Sequence, residues 1–492
     1  MRKQIQSIGI IGGGTAGFVA ALILKKRFPN VKIEMVRSNK IGIIGVGEGS
    51  TEHWKQFMEY VGIDTYELIK ECDATCKMGI MFDSWVDEPY LHSVQDEFSQ
   101  FAGQYPYIYA NQVAYGSSSR DMSKKTYWDN DVESWYKDQP TRCPSAQFHF
   151  NTNKLNEFLT NLTLKRGVNI IDDEIEDVLL DEQGNISSLK GIVTTYKHDF
   201  YIDCTGFRRM LISKLGGKWV SYGKYLKMKA AIAFPTLDTD NYNIWTLARA
   251  MDYGWMFRLP VWGRGGNGYI FDSDYINADQ AKLEAEKYLG FEVDVGKTFK
   301  FDPGALENVW IKNCVAVGVS ASFVEPMEAS SIGTSIQQSF LLMHRLANYD
   351  EHSIKSYNKS VNDILENIRD FVILHYLTGK QTNEFWKDVS NLEIPDSLKY
   401  RLDLWKHKMP TKEDFSDLTN FILFAENNWT LVMQGLKLFD KESIKDELLA
   451  VEPGMQQHAL TVVKELKKYE STVQTITHKE YIRSIREFKN DK

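Results

Sequence analysis

The sequence predicts an α/β fold with a Rossmann-like dinucleotide-binding domain, an inserted β-rich segment and a helical C-terminal region. Three observations support this prediction. A buried strand runs directly into a glycine-rich turn and a helix over residues 5–27, a β-rich stretch occupies residues 218–300, and the pattern is almost wholly helical from about residue 350. Further apolar strands over 200–206 and 314–319 lie far along the chain from the first strand. The dinucleotide domain is therefore expected to be assembled from separated segments.

The elements alternate between apolar runs and turn-forming residues. Residues 5–11 are typical of a buried strand, 12–17 of a turn, 18–27 of a helix and 31–36 of a second strand, which together make a βαβ start. The later elements are expected to be a helix over 51–72, an irregular aromatic stretch over 83–150, a helix over 153–166, strands near 169–180 and 186–195, and a helix over 332–347.

This order divides the chain into three parts. The predicted parts are a discontinuous dinucleotide-binding domain (1–60, 150–215 and 300–345), two inserted segments (61–149 and 216–299) and a C-terminal helical region (346–492).

Composition excludes several function classes. The 492 residues are 43% hydrophobic and 25% charged, which is ordinary for a soluble globular protein. The net charge is −8 and no basic stripe is present, so nucleic-acid binding is not expected. No uncharged apolar run reaches membrane-spanning length, and residues 1–4 lead into a strand and not into a signal peptide. We therefore expect a cytoplasmic protein without membrane contact.

The five cysteines are odd in number and widely scattered, which is typical of a reducing compartment and argues against a disulfide framework. Cys72 and Cys76 would share one face of a helix, but no further ligands lie nearby in the sequence. Because structural zinc usually takes four ligands, no metal site is expected.

The N-terminal turn carries a dinucleotide fingerprint. Gly12, Gly14 and Gly17 match G-x-G-x-x-G between a strand and a helix. The first glycine allows the tight turn, the second lets the backbone approach a pyrophosphate, and the third allows close helix–strand packing. Arg37, followed by Ser38, stands where an acid that binds a ribose hydroxyl would be expected. Arg37 is either a solvated edge charge or a contact to the adenosine end of the cofactor.

Two further turns are candidates for contact with the same cofactor. Gly47, Glu48 and Gly49 belong to a second glycine-rich loop, which is either a backbone approach to the cofactor or an ordinary flexible loop. Asp203 and Gly206 end a buried strand in a turn of the kind that flavoproteins use. No second G-x-G-x-x-G follows, so no nicotinamide domain is expected and electrons must come from elsewhere.

Five motifs stand in order across residues 1–345. They are GGGTAG at 12–17, GVGEGS at 45–50, KMGIMFDSW at 77–85, DCTGFR at 203–208 and FVEPMEASSI at 323–332. In sequence, order and spacing they resemble the motifs of the flavin-dependent halogenases of the tryptophan-halogenase type. The helical tail matches this family only loosely, around residues 426–429.

The resemblance implies an FAD-binding domain of the glutathione-reductase type, with FAD used as FADH2 and chloride, bromide or iodide as co-substrate. The inserted segments would form the halogenation tunnel, and the C-terminal region would cap the substrate. The implied cofactor-binding residues are Gly12, Gly14, Thr15, Ala16, Gly17, Ser38, Ile41, Gly47, Glu48, Gly49, Asp203, Gly206 and Ile332. The resemblance also implies a separate flavin reductase that supplies FADH2, and it leaves a homo-oligomer among the assemblies open to the chain.

The implied chemistry relays hypohalous acid to an electron-rich aromatic small molecule. Lys77 and Glu328 would be catalytic, and Ser330 and Ser331 would lie beside the halide. A lysine ammonium can hydrogen-bond the hypohalous acid, or its neutral amine can form a haloamine, and burial readily lowers a lysine pKa. Glu328 would orient the oxidant or take the ring proton, and it also suits a helix N-terminus. Glu325 could serve as a cap or as a substrate contact, and we expect it to be structural.

Candidate substrate-stacking residues are Trp429 and His92, although a core tryptophan and a surface histidine are the commoner roles. A surface lysine is likewise the ordinary role for Lys77, and only the matching motif argues otherwise.

Three positions depart from the family pattern. Phe257 replaces the second tryptophan of the W-x-W-x-I-P motif, Ser331 replaces a glycine of the halide loop, and Arg37 replaces a glutamate. We hypothesise that the altered loop shifts halide preference toward bromide or iodide. Two alternative functions stay open: a two-component FAD-dependent aromatic monooxygenase, and a catalytically silent flavoprotein with a binding role.

Overall fold

The computed structural model describes residues 4–42, 48–94, 106–116, 119–139, 142–240 and 242–488. A six-stranded sheet of Rossmann type forms the centre and confirms the predicted α/β fold. Its strands in spatial order are Trp310–Ile311, Cys314–Ala316, Phe200–Asp203, Ser7–Ile11, Lys32–Arg37 and Asn169–Asp172. All pairs are parallel except that of Trp310–Ile311 with its neighbour.

The glycine turn and its helix lie at one edge of this sheet. Helix Thr15–Arg27 is buried from Gly17 to Leu24, because this part packs against the sheet strands, helix Thr152–Lys165 and helix Ser330–Arg345. The parallel strands Ser7–Ile11, Phe200–Asp203 and Cys314–Ala316 all end at the same edge, so the turns that follow them meet there.

A seven-stranded sheet combines the two inserted segments. Its strands in spatial order are Lys297–Lys300, Ala230–Leu237, Arg264–Phe271, Gly254–Val261, Thr246–Met251, Gly79–Asp83 and Tyr90–Ser93. Gly79–Asp83 runs parallel to Thr246–Met251, so the residues around position 80 join a sheet built mainly from residues 230–300. The division into domains stays a prediction, but the strands of the six-stranded sheet all come from the three segments assigned to the dinucleotide domain.

Smaller sheets complete the strand set. They are Glu48–Gly49 with Gln147–Phe150 and Thr75–Lys77, Ile175–Leu180 with Ile186–Gly191 and Thr195–Tyr196, Trp219–Ser221 with Gly304–Leu306 and Ser322–Phe323, and Asp131–Glu133 with Thr475–Thr477. The first of these matters most for the site, because it holds Lys77 two strands from the second glycine-rich loop.

The remaining helices cover both inserted segments and the C-terminal region. They are His53–Val61, Thr65–Glu71, Pro106–Tyr115, Lys125–Asp129, Met210–Lys214, Ala278–Leu289, Glu351–Leu374, Glu384–Ser390, Asp396–Trp405, Glu426–Gly435, Lys441–Leu449, Pro453–Thr472 and His478–Glu487. Among the described residues, no helix combines the length and the apolar composition needed to cross a bilayer.

Several predicted boundaries were wrong. The helix expected over 51–72 is two helices, because Gly62 turns left-handed with φ 77° and Asp64 caps the second. The strand expected over 169–180 also divides: Asn169–Asp172 joins the six-stranded sheet and the remainder forms a hairpin. The helix expected over 332–347 begins at Ser330, which places both serines of the halide loop in its first turn. The stretch over 83–150, expected to be irregular, contains short helices, and helix Ala278–Leu289 interrupts the β-rich segment.

The cysteines do not form the arrangement considered from the sequence. Cys76 lies in a strand, and its Sγ is 3.6 Å from Sγ of Cys143 and not beside Cys72. All five are free thiols. Within the described ranges, no group of three or more His, Cys, Asp or Glu is arranged to hold a metal ion.

Candidate active site

A cavity of about 700 Å³ opens at the edge where the parallel strands end. Most of the predicted cofactor-binding residues line it: Gly12, Gly14, Thr15, Ala16, Ser38, Ile41, Glu48, Gly49, Gly206 and Ile332. Ser331 of the halide loop lines it too. Gly47 lies outside the described residues. One continuous space therefore connects the fingerprint turn with the predicted halide loop.

The fingerprint turn has the geometry that a pyrophosphate requires. Gly12 has φ 120°, and a Cβ at this position would lie 2.1 Å from the carbonyl oxygen of Cys204, so only glycine fits. Gly14 is the N-cap of helix Thr15–Arg27, and no side chain caps the helix. A Cβ at Gly14 would meet nothing within 4 Å. The uncapped amides face open space, which is the arrangement in which a helix N-terminus binds phosphate.

Two predicted cofactor residues lie behind the cavity wall and not on it. Gly17 packs so closely under the turn that a Cβ would lie 2.4 Å from the Gly12 carbonyl oxygen, which is the packing role assigned to the third glycine. Asp203 is fully buried, and backbone N–H groups of Thr205, Leu211 and Ile212 donate to its carboxylate at 2.8–2.9 Å. The expected direct contact of Asp203 with cofactor is therefore corrected: its carboxylate shapes the turn that carries Gly206.

Arg37 is not a solvated edge charge. It lines the cavity, its guanidinium donates to Oγ1 of Thr160 at 3.0 Å, and its aliphatic chain packs against Gly13. Glu174 also lines the cavity, and no sequence motif identified it. This end of the cavity thus offers both a cation and a carboxylate to the hydroxyl groups of a ribose.

Glu48 carries an unusual carboxyl group on the cavity wall. Burial raises its pKa to about 7, although a hydrogen bond at 3.4 Å from the Thr15 hydroxyl opposes the rise. Near neutral pH both the protonated and the ionised form of this carboxyl group are therefore populated.

Lys77 lies immediately behind Gly49. A Cβ at Gly49 would lie 3.7 Å from Cδ of Lys77 and 3.3 Å from Cβ of Ala329, so both residues flank this glycine of the cavity wall. Lys77 is 2% exposed, and its Nζ donates to the carbonyl oxygen of Ser50 at 2.9 Å. Burial lowers the pKa of Lys77 to about 8, although Glu328 and Glu52 act in the opposite direction.

Glu328 lies next to Ala329 and is bounded by two imidazoles. Its Oε2 is 2.8 Å from Nδ1 of His92, and its Oε1 is 2.9 Å from Nε2 of His375, the second contact outside hydrogen-bond geometry. Burial alone would raise the pKa of Glu328, but the adjacent imidazoles of His92 and His375 lower it to about 2. The carboxylate is therefore anionic at every working pH.

The structure brings Lys77 and Glu328 together and gives His92 a role that differs from the expected one. His92 is 2% exposed and sits between Glu328 and Asn428, whose Nδ2 is 3.0 Å from its Nε2. Glu328 and Asn428 occupy both ring nitrogens, so His92 holds the carboxylate and has no ring nitrogen left to bind substrate. His375 stands in no motif, and Asn428 lies only in the loosely matching stretch over residues 426–429, so neither was predicted as a site residue; both join the site through the fold.

Trp429 is a core residue. Its indole is completely buried among Phe371 and Trp405, each with its ring centroid 5.1 Å away, and its Nε1 donates to the carbonyl oxygen of Phe424 at 3.2 Å. The expected stacking on substrate is therefore corrected to packing, because no part of the ring reaches a cavity.

Trp429→Ala is expected to lower the free energy of unfolding by about 3–5 kcal/mol, as truncation of a buried aromatic side chain leaves a cavity. Chemical denaturation measures the loss, and Trp429→Phe serves as the control that retains most of the packing. A stable Trp429→Ala variant whose KM for the aromatic substrate rises steeply would instead restore the stacking role.

Glu325 has the structural role expected from the sequence. It is fully buried, and its Oε2 accepts hydrogen bonds from Trp255 Nε1 at 2.9 Å and from the Tyr376 hydroxyl. Burial raises the pKa of Glu325 to about 7 in spite of these two donors. Trp255 is the retained tryptophan of the W-x-W-x-I-P motif, so this carboxyl group links that strand to the C-terminal region.

The raised pKa of Glu325 predicts a pH-dependent stability. The folded protein keeps the Glu325 proton up to about pH 7, whereas the unfolded chain loses it near pH 4.5. Stability from this group is therefore present in full below pH 4.5 and decreases until about pH 7, by roughly 3 kcal/mol. Unfolding free energies measured from pH 4.5 to 7.5 should show this decrease in wild type relative to Glu325→Gln. Parallel curves for the two proteins would contradict the assignment.

The halide loop forms the N-terminus of a helix. Ala329 is left-handed with φ 53° and is the N-cap of helix Ser330–Arg345, and no side chain caps it. Ser331 lines the large cavity, and both serines border a small pocket of about 10 Å³. Phe257, on a strand of the seven-stranded sheet, lines the same large cavity. An anion at this N-terminus would lie at the end of the cavity nearest to Lys77.

The chain is similar to known tryptophan halogenases. The family model described as tryptophan halogenase matches residues 7–450. The 7-chloro-L-tryptophan 6-halogenase KtzR of Kutzneria sp. (strain 744) is 30% identical over 82% of this chain and 86% of its own length. The tryptophan 6-halogenase SttH of Streptomyces toxytricini is 30% identical over 84% of this chain and 86% of its own. The structure of a tryptophan C-6 flavin-dependent halogenase from taromycin biosynthesis superposes with a TM-score of 0.85 and 26% identity, covering 98% of this chain and 100% of that one.

Proposed function

Because the chain belongs to the tryptophan halogenase family, whose members are flavin-dependent halogenating enzymes, we propose that it uses FADH2, O2 and a halide to halogenate an electron-rich aromatic small molecule. One observation carries the proposal. A Cβ at Gly49, which lines the cofactor cavity, would lie 3.7 Å from Cδ of Lys77 and 3.3 Å from Cβ of Ala329, so the lysine side chain and the residue that follows Glu328 flank the same point of the cavity wall.

The cofactor fits the residues present. The Gly12–Gly14 turn and the first turn of helix Thr15–Arg27 would hold the pyrophosphate, and Arg37 with Glu174 would hold the adenosine end. When bound, reduced FAD would supply with O2 the oxidising power that converts halide to hypohalous acid. Every other step depends on side chains of this chain.

Lys77 receives the oxidant in this proposal. Its Nζ is already oriented by the Ser50 carbonyl oxygen, and burial excludes competing water. The ammonium donates a hydrogen bond to hypohalous acid and makes its halogen more electrophilic. We favour this form over a haloamine, because a pKa of about 8 leaves the ammonium predominant at neutral pH.

Glu328 acts on the aromatic substrate after the halogen has been transferred. Its two imidazole contacts hold it as an anion, so its charge can stabilise the lysine ammonium and its carboxylate can receive the proton that the halogenated ring must release. The ring cation is far more acidic than any carboxylic acid, so a low carboxyl pKa does not prevent this transfer.

The substrate is proposed as an indole or a related electron-rich ring. The relatives' names specify tryptophan or 7-chloro-L-tryptophan. A separate flavin reductase is proposed as the electron source, since no second dinucleotide fingerprint follows the first.

The decisive experiment incubates the full chain with FAD, a flavin reductase, NADH and a panel of indoles and phenols, with products identified by mass spectrometry. Halogenated product that depends on both the reductase and the halide supports the proposal. Hydroxylated product would favour the aromatic monooxygenase instead, which Phe257 on the cavity wall leaves open. Reduced flavin consumed without aromatic product would favour a silent flavoprotein.

The serine at position 331 of the halide loop leads to a prediction of halide preference. Its side chain adds a hydroxyl group to the cavity beside the uncapped helix N-terminus, where the family has glycine. We expect bromide or iodide to be incorporated ahead of chloride, and Ser331→Gly to shift incorporation toward chloride. Competition assays with equimolar halides measure the ratio, and a wild-type protein that prefers chloride over both would refute the prediction.

A further inference from the structure

Glu328 lies in an enclosed cluster of polar side chains that come from three separate elements. His92 is on strand Tyr90–Ser93, His375 follows helix Glu351–Leu374, and Asn428 is in the first turn of helix Glu426–Gly435. His92 and Glu328 are each 2% exposed and His375 is fully buried. The contacts of 2.8 and 2.9 Å leave no room for water or a metal ion between the rings and the carboxylate.

The protonation of His92 follows from the orientation of Asn428. The Asn428 Oδ1 accepts a hydrogen bond from the backbone N–H of Ala425 at 2.9 Å, so its Nδ2 is the atom that faces His92 Nε2. An amide nitrogen only donates, so Nε2 must be the accepting, unprotonated nitrogen. The single ring proton is then on Nδ1, from which it is donated to Glu328 Oε2. His92 therefore holds the carboxylate as a neutral ring.

The protonation of His375 follows from its other contact. Its Nδ1 is 2.7 Å from the carbonyl oxygen of Phe371, which only accepts, so Nδ1 carries a proton. Its Nε2 lies 2.9 Å from Glu328 Oε1, and neither atom has a hydrogen-bond partner within the described part of the chain. Without a proton between them, two lone pairs would face each other at this distance in a buried site, at a large cost.

The surroundings place this proton on His375. The other titratable groups that face Glu328 are Lys77 and Tyr90, whose hydroxyl pKa is raised by burial and by Glu328 itself. The His375 ring also lies against the aromatic rings of Phe82 and Phe371, with centroids 4.6 and 5.1 Å away, which suits a cationic ring.

We propose that His375 and His92 are the positioning residues of Glu328, with His375 as an imidazolium that pairs with Oε1 and His92 as a neutral donor to Oε2. The catalytic consequence rests on the proposed function. Each oxygen of the carboxylate is held by one imidazole, so the group cannot rotate freely, and its charge also acts on the nearby Lys77 ammonium. His375 keeps its proton throughout the reaction. A proton released by the halogenated substrate ring therefore binds to one of the Glu328 lone pairs that do not face an imidazole.

The direct test is nitrogen NMR on the full chain with FAD bound, labelled with ¹⁵N in the histidine rings. The ring signals are assigned from their loss in His92→Gln and His375→Gln, with His375→Asn in reserve should the first variant of His375 not fold. At pH 7 we expect both nitrogens of His375 to be protonated, and only Nδ1 of His92. An unprotonated Nε2 in His375, or a proton on Nε2 of His92, would overturn the proposal. Because this readout needs no turnover, it stands even if the halogenase function fails.

Kinetic measurements on a His375 variant provide the second test of the proposal. His375→Gln keeps a side chain of similar length that can donate a hydrogen bond, but it cannot carry the charge. We expect kcat to fall about tenfold or more from a misplaced carboxylate, with KM for the aromatic substrate and FAD affinity changed less than about twofold. Lys380→Gln, a lysine bonded to the Ser84 carbonyl oxygen and outside this cluster, is the matched control. The role of His375 would be merely structural if kcat were unchanged in His375→Gln. The same would follow if KM rose and FAD affinity fell by factors as large as the decrease in kcat.

Discussion

Lys77→Ala is expected to abolish halogenation while FAD binding is retained. The loss should be at least about 10²–10⁴-fold in kcat, because the amine is the only cationic side chain adjoining the cavity at Gly49 among the described residues, and nothing else there can hold the oxidant. The measurement is product formation with an electron-rich indole, beside flavin fluorescence titration for the cofactor. The side chain does not line the cavity directly, so flavin affinity should change little.

Lys77→Arg tests whether a positive charge alone is sufficient or whether the lysine amine itself is required. Arginine keeps a permanent cation but its larger planar group cannot occupy the site that Nζ makes with Ser50 without displacement. We expect it to recover little activity. In wild type, the ammonium role predicts that kcat falls as pH rises through the lysine pKa of about 8, since the neutral amine loses its ability to activate the oxidant. A rate that increases through the same range would establish the haloamine route, and an active Lys77→Ala protein would remove Lys77 from the mechanism.

Local sequence determined the parts of the site that depend on backbone shape. Gly12 and Gly14 could be identified from sequence alone because only glycine fits a φ of 120° next to the Cys204 carbonyl oxygen, and only an uncapped helix start suits a phosphate. The pairing of Lys77 with Glu328 was also predictable, but through family resemblance and not through local rules, since 251 positions separate them.

What could not be predicted depends on tertiary packing. His92 was expected to meet substrate, yet its neighbours Glu328 and Asn428 are 236 and 336 positions away, and no periodicity encodes such contacts. Trp429 was assigned to the substrate although an aromatic residue in an apolar helix is more often core. The start of helix Ser330–Arg345 was missed by two residues, because its N-cap is a left-handed Ala329 and not one of the usual capping residues.

Glu328→Gln is expected to lower kcat by about 10²–10⁴-fold, with little effect on flavin affinity. Glutamine fills the same volume but brings no negative charge, so the His375 and Lys77 cations would lose their shared counterion and the ring proton would lose its acceptor. Glu328→Asp is the matched control, since it keeps the charge but retracts it from both imidazoles, and we expect it to retain more activity than the glutamine variant.

The same substitution should also change the pH dependence of the residual activity. In wild type, burial lowers the pKa of Lys77 to about 8 and the Glu328 charge limits that decrease. Without the charge, the pKa of Lys77 falls further, so the amine is neutral over more of the physiological range. The pH at which activity declines should therefore move down in Glu328→Gln and stay near 8 in Glu328→Asp. Identical pH profiles in the two variants would mean that Glu328 acts on the substrate alone and does not set the charge of Lys77.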